Sequence, residues 1–314
     1  MPDTECADRT RFVRLAAAIA LAGNLALAIA KITVGGATGS LAVIGDGIDS
    51  STDVLIAIMS LAIGFYMNRP SDKEHPWGHG RSETLGTMVL SFIIFFAGTQ
   101  LFGSALSQIR NPSDLVLPSP LALAITLVSI AGKAGLAASQ YILGKKSGSA
   151  MILANAKNMT NDIIISVSVF AGLGLSLLLR NPILDSVTAL AVSLWVMKSG
   201  ITIFREQNME LMDGNADTGL YRDLFDAVRS VEGAGNPHRA RIRKMAARWD
   251  IDLDIEVPGS LSVTRAHEIA QKVEYAIRCA IPDVYDIMVH IEPAGFGEHD
   301  TEQYGLTAHD VQDE

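Results

Sequence analysis

Cysteine is almost missing from this chain. Cys6 and Cys279 are the only two in 314 residues, and they form no Cys-x-x-Cys pair. A disulfide framework is thereby excluded, as expected of a domain in a reducing compartment. Charge is also scarce, at 19 % of residues, while 49 % are hydrophobic and the mean hydropathy is +0.28. That balance is too apolar for an ordinary soluble domain. Net positive charge is lacking too. The chain carries −9, and residues 206–314 hold 10 Lys/Arg against 22 Asp/Glu where residues 1–205 hold 15 against 12. The break separates a membrane half from an acidic soluble half, which repels nucleic acid and concentrates cations. Asp3, Glu5 and Asp8 make a poor signal-peptide start, so the first span is expected to stay attached.

Six apolar runs follow a polar start over residues 1–14. They cover about 15–34, 41–66, 84–106, 117–143, 150–179 and 183–204, each long enough to cross a hydrocarbon core. Asn24 and Lys31 interrupt the first, and 35–40 reads as a short uncharged turn. Arg9, Arg11, Arg14, Arg69, Lys73, Arg81, Lys145 and Lys146 flank the spans on one side, against Arg110 and Arg180 on the other. By the positive-inside rule both termini are expected in the cytoplasm, in a multi-pass plasma (inner) membrane protein. The transmembrane domain is assigned to 15–205 and a cytoplasmic domain to 206–296. The latter reads helix, strand, strand, helix, strand, a small αββαβ sandwich of α+β class. The acidic stretch 297–314 is expected to be disordered. Cys279, near Val273 and Ile277 on the second of these helices, is expected in the core.

Acids at membrane depth are costly unless paired, hydrated or bound to a cation. The second span carries Asp49 and Asp53 at the i, i+4 spacing that puts both carboxylates on one helix face, with Asp46 one turn before. The fifth span repeats the spacing with Asn158 and Asp162. Opposed faces would offer three carboxylates and an amide oxygen to one divalent cation. Lys133, mid-way along the fourth span, is read as the partner of an acid such as Asp46. Asp72, His75 and His79 in the loop after span two can converge on a second ion.

Together the six spans, the paired acids, the run His75-Pro-Trp-Gly-His79-Gly-Arg-Ser-Glu83 and the αββαβ tail resemble the cation diffusion facilitator family of metal/proton antiporters. The resemblance implies a transport site at Asp49, Asp53, Asn158 and Asp162 and a loop site at Asp72, His75 and His79. It also implies a cytoplasmic-domain site drawn from His238, Asp254, His267, His290 and Glu292, and a dimer-locking salt bridge between Arg81 and Asp213. Members with His in place of Asn158 resemble zinc carriers, and members with Asn and three Asp resemble manganese exporters. The expected activity is therefore secondary transport and not enzymology. A homodimer in lipid would exchange Mn2+, with Fe2+ or Zn2+ as alternatives, for protons, without a cofactor. A non-transporting metal sensor is the rival from another class.

Overall fold

A computed structural model describes residues 2–67, 71–112, 115, 117–147, 150–215, 217–245, 248–295 and 304–311. The side chains of residues 2–14, with Arg9, Arg11 and Arg14, lie outside that description, as does Arg69. The chain divides into two compact units, Met1–Tyr66 with Gly86–Arg205 and Met67–Leu85 with Glu206–Glu314.

The first unit is built from six helices, α1 (Pro2–Thr38), α2 (Leu41–Met67), α3 (Ser82–Arg110), α4 (Pro120–Ser147), α5 (Ala150–Leu179) and α6 (Ile183–Leu211). Among the described residues, five helical stretches are long and apolar enough to cross a membrane, and α2 is the sixth, acid-bearing helix. Leu90, Phe92, Ile93 and Phe96 run along α3, and only Leu90 of these is buried. An apolar exterior of that kind suits lipid and not water. The expected turn at 35–40 is shorter than anticipated. α1 continues through Gly35 and Gly36, and only Gly39 leaves the helix, with φ +69°. Small residues let the helices approach closely. A Cβ on Gly200 of α6 would stand 3.0 Å from the backbone of Ser91 and Phe95 on α3.

The start of α2 is capped from elsewhere in the unit. Asp185, in the first turn of α6, accepts from Ser40 Oγ at 2.7 Å and from the Leu41 N–H at 3.1 Å. A carboxylate there satisfies an orphan amide and complements the helix dipole. The cap fixes the end of the helix that carries Asp46, Asp49 and Asp53.

The second unit contains α7 (Thr218–Arg229), β1 (Gly235–Met245), β2 (Arg248–Val257), α8 (Val263–Ala280) and β3 (Val284–Pro293). β2 is central, antiparallel to β1 and parallel to β3, so α8 is the crossover. Ile251, Leu253 and Ile255 of β2 pack with Leu224, Phe225, Val273 and Ile277 of the two helices. The opposite face of β2 presents Asp252, Asp254 and Glu256, as the period of two requires. Asp217 and Ser262 cap α7 and α8. Residues 67–85 belong to this unit through Arg81 to Asp213, Thr84 to Glu210 and Arg243 over Trp77.

Two expectations are corrected here. Cys279 is exposed, because the buried stripe of α8 is Ile269, Ala270, Val273 and Ile277. The tail is not disordered over 304–311. Leu306 pairs with Ala240 on the free edge of β1, and Val311 is buried in the core. An unpaired edge and an apolar anchor supply what the acidic composition concealed. Residues 297–303 and 312–314 lie outside the described residues.

Replacing Asp185 with Ala is expected to destabilise the first unit by about 1–2 kcal/mol, since it strips the cap and leaves Ser40 and Leu41 unsatisfied. Asp185→Asn should retain most of the stability. Thermal unfolding of the detergent-solubilised protein measures both, and an unshifted midpoint for the Ala variant would remove the cap from the account.

Candidate metal centres

The first centre lies within the six-helix unit. Asp46, Asp49 and Asp53 project from α2 and Asp162 from α5, while two lysines answer them from α1 and α4. The lysines are held very differently. Lys31 Nζ lies 2.8 Å from Asp46 Oδ2, with both side chains 0 % exposed. It also donates to Ser50 Oγ at 3.0 Å and Ser166 Oγ at 3.3 Å, and Ser166 Oγ donates to Asp46 Oδ1 at 2.8 Å. Two serines accept from that ammonium, and Asp46 faces it as a close ion pair without hydrogen-bond geometry on Oδ2. A buried pair persists only when its remaining hydrogen-bonding capacity is met in this way.

Lys133 Nζ is likewise 0 % exposed, but lies 3.2 Å from Asp162 Oδ2 and 3.9 Å from Asp49 Oδ2. Neither contact has hydrogen-bond geometry, and Nζ makes no hydrogen bond at all. The expectation that Lys133 serves Asp46 is therefore corrected: Lys31, about two turns before the end of α1 and unassigned in the sequence, already pairs with that carboxylate.

Asp49, Asp53 and Asp162 converge around Lys133. Asp53 and Asp162 face each other closely enough for their carboxyls to interact directly. Among the described residues, one buried oxygen on each of Asp46, Asp49, Asp53 and Asp162 accepts no hydrogen bond, and that of Asp46 is the one held against Lys31 at 2.8 Å. Among the described residues Asp49, Asp53 and Asp162 do not draw their ligand atoms within 4.8 Å of one another, so the cluster is open, with an ammonium in it. Asn158 is exposed and shares a lining with only one of these carboxylates, that of Asp53. It lines, with Asp53, Asn24, Asn155 and Gln140, a cavity of about 390 Å³. Asp49 and Asp162 do not line it. Lys157, next in sequence to Asn158, lines a separate groove with Tyr141 and Lys145, as a helical offset of about 100° requires.

The second centre is the loop after α2. Asp72 Oδ1 accepts from the Glu74 and His75 amides at 3.0 and 2.7 Å, and lies 3.2 Å from His75 Nδ1. These bonds, the backbone one from His75 foremost, hold the Asp72 carboxyl below the usual carboxylate range. Gly78, at φ +80°, turns the chain so that His79 Nε2 comes within 3.3 Å of Asp72 Oδ2. One ligand atom from each of Asp72, His75 and His79 falls within 4.8 Å of the others. Two imidazoles and an ionised carboxylate form a donor set suited to a borderline divalent ion.

The third centre is on the open face of the sheet. His238, Asp254 and His290 stand in register across the three strands, and Glu292 follows His290 on the same face. His238, Asp254 and Glu292 close to within 4.8 Å, with His238 Nε2 3.3 Å from Glu292 Oε2. His290 Nε2 is 3.7 Å from the other oxygen of Glu292. His267 does not join the cluster, because it sits on the exposed face of α8. Asp254 is also engaged elsewhere. Arg239 lies 2.6 Å from its Oδ2 and is stacked at 4.5 Å on the ring of Tyr304, whose hydroxyl it also contacts. Arg243 and Asp250, at 2.7 Å, and Arg241 and Asp252, at 3.8 Å, continue the ladder along β1 and β2. Partial burial raises the Asp252 carboxyl, and Arg241 opposes that shift. The sequence reading took Asp254 for a ligand, whereas it already faces Arg239.

The bridge of Arg81 to Asp213 forms as expected, and Arg81 also donates to the Leu211 carbonyl at 2.9 Å.

Residues 17–212 match the protein family described as "Cation efflux transmembrane domain", and residues 216–294 the one described as "Cation efflux protein, cytoplasmic domain". Metal tolerance protein C1 of Arabidopsis thaliana is 31 % identical over 88 % of this chain, which spans 61 % of that relative's length. Manganese efflux system protein MneP of Bacillus subtilis is 27 % identical over 91 % of this chain and 98 % of its own. Cation-efflux pump FieF of Salmonella arizonae is 26 % identical over 94 % and 98 % respectively.

The Lys31–Asp46 pair generates a prediction of sign. Lys31→Met or Asp46→Leu alone strands a buried charge and is expected to cost about 3–5 kcal/mol. The double replacement should recover most of that loss, because it strands none. Unfolding midpoints of the three variants decide it; simple additivity would mean that the two groups do not act as a pair.

Proposed function

The chain belongs to the cation efflux family, whose members are multi-pass membrane transporters and not enzymes, and on that premise we propose that it exports Mn2+ from the cytoplasm in exchange for protons. One observation carries the reading. Asp49, Asp53 and Asp162 each keep a buried oxygen without a hydrogen bond, in an apolar unit where such oxygens need a cation. Asn158 offers an amide oxygen to the adjoining cavity. An all-oxygen donor set suits manganese better than a set with imidazole, which favours zinc. The name of the Bacillus relative, a manganese efflux system protein, supports the same choice. Fe2+ follows in preference and Zn2+ comes third.

Exchange follows from competition for one set of oxygens. A carboxylate that holds a metal ion must release its proton, and a proton that returns weakens the hold on the metal. Alternating access couples the two when the inward-facing state favours metal and the outward-facing state favours protons. The apolar helices, the basic loops on one side and the acidic second unit support an inner-membrane protein with both termini in the cytoplasm. The match to the family's cytoplasmic domain supports a homodimer, with Arg81 and Asp213 bracing it. Asp72, His75 and His79 are proposed as a second ion position. His238, Asp254 and Glu292 form a third, where an ion has to compete with Arg239 for Asp254.

Asp53→Ala and Asp162→Ala are each expected to abolish Mn2+ uptake into inside-out vesicles under a pH gradient while the protein stays folded. Transport near the wild-type rate in either variant would take that residue out of the site. Asn158→His is expected to move the manganese-to-zinc ratio toward zinc in competitive uptake in proteoliposomes, since imidazole prefers zinc. An unchanged ratio would show that Asn158 does not touch the cargo.

A further inference from the structure

The contrast between the two buried lysines is not explained by stability alone. Lys31 donates to Ser50 and Ser166, lies 2.8 Å from Asp46 and belongs to the scaffold. Lys133 is as deeply buried, yet its ammonium has no hydrogen bond and sits off-geometry between Asp162 and Asp49. A lysine required only for packing would be expected to find acceptors, or to be replaced by an apolar residue of similar volume. Here it lies between two of the three carboxylates assigned to the cargo, Asp49 and Asp162.

We propose that Lys133 is the resident cation of the transport site, a tethered ammonium that holds the place between Asp49 and Asp162 until a divalent ion displaces it. The inference rests on the reading of this cluster as the cargo site. It accounts for how the carrier survives without cargo, since three uncompensated carboxylates at membrane depth would be very costly. It also accounts for charge selection. With Asp46 matched by Lys31, Asp49, Asp53 and Asp162 carry a formal −3, so exchange of Lys133 for a monovalent ion leaves −2 as before, whereas exchange for a divalent ion leaves −1. At the same position a monovalent ion gains half the Coulomb energy of a divalent one. It therefore has little advantage over an ammonium already in place, whereas a divalent ion does. The loose geometry keeps displacement feasible, and the returning ammonium then helps to expel the cargo on the far side. Lys133 is in this sense a specificity-determining residue that never ligates the metal.

The test uses the full chain in lipid nanodiscs at fixed pH, with Mn2+ alone as probe and calorimetry as readout. Lys133→Met removes the charge at similar length, and Lys133→Arg keeps it. The Met variant is expected to bind Mn2+ at least about tenfold more tightly, and its binding should become sensitive to added K+; the Arg variant should show neither change. Unchanged or weaker binding in the Met variant, or an equal gain in the Arg variant, overturns the proposal. If the Met variant does not fold, the wild type still decides. Labelling of Lys133 by an amine-reactive reagent, read by mass spectrometry, should rise several-fold when Mn2+ saturates the site, and constant labelling overturns the proposal. Asp162→Ala separates the two levels of inference. If wild type binds Mn2+ and Asp162→Ala does not, while Lys133→Met equals wild type, only the role of Lys133 falls. If wild type binds no Mn2+, the reading of the cargo site falls and this inference with it.

Discussion

Carboxylates buried in an apolar helical unit have to be compensated, and the structure of the first unit follows from how that is done. Asp46 is compensated by Lys31 and Ser166, which ties α1, α2 and α5 together at one level. Asp49 and Asp162 are compensated loosely by Lys133, and Asp53 is answered by no hydrogen bond on its buried oxygen. One turn of α2 thus separates a charge that is locked from charges that can change partner. The locked pair limits where the exchangeable group can move. Asp185, which caps the start of α2, fixes the same end of that helix.

The C-terminal unit solves a related problem with different means. β2 carries Asp250, Asp252 and Asp254 on one face, and like charges along one strand repel. β1 sets Arg243, Arg241 and Arg239 against them. Buried members of such a ladder hold more tightly than exposed ones. Arg239 is the most enclosed of the arginines, because the tail returns to lay Tyr304 across it and pair Leu306 with Ala240. His238 and Glu292 are then grouped with a carboxylate that is already engaged. A metal ion bound there would have to rearrange the arginine, and the tail packed on it would feel the change.

Much of this was legible in the sequence, for reasons that differ by element. Apolar runs bounded by Asn181-Pro182 or Gly-Ser give helix limits directly, and α5 and α8 span the residues expected of them. The i, i+4 spacing places Asp49 near Asp53, and Asn158 near Asp162, without knowledge of packing. The loop triad was readable because its ligands are close in sequence. Choice of partner was not readable. Asp46 selects Lys31 over Lys133 because of how α1 and α4 pack beside α2, and no spacing rule spans separate helices. Cys279 was misplaced because a residue two positions from a buried one lies on another face of the helix. The tail was misjudged because composition averages over Leu306 and Val311, which are the residues that pack.

Selectivity in such a site separates into two questions with different physical answers. Discrimination between divalent ions depends on donor type, and that is where an amide at Asn158, in place of an imidazole, matters. Affinity order alone would favour zinc over manganese, so donor type has to work against it. Discrimination by charge depends on the electrostatic balance, which is indifferent to donor chemistry. On the proposed reading, Lys133, between Asp49 and Asp162, sets that balance without narrowing the choice among divalent ions. The two determinants lie on different helices, Asn158 on α5 and Lys133 on α4, so a change in one need not alter the other. A chain of this kind can therefore change its preferred metal by substitution at Asn158 while its rejection of monovalent cations stays in place.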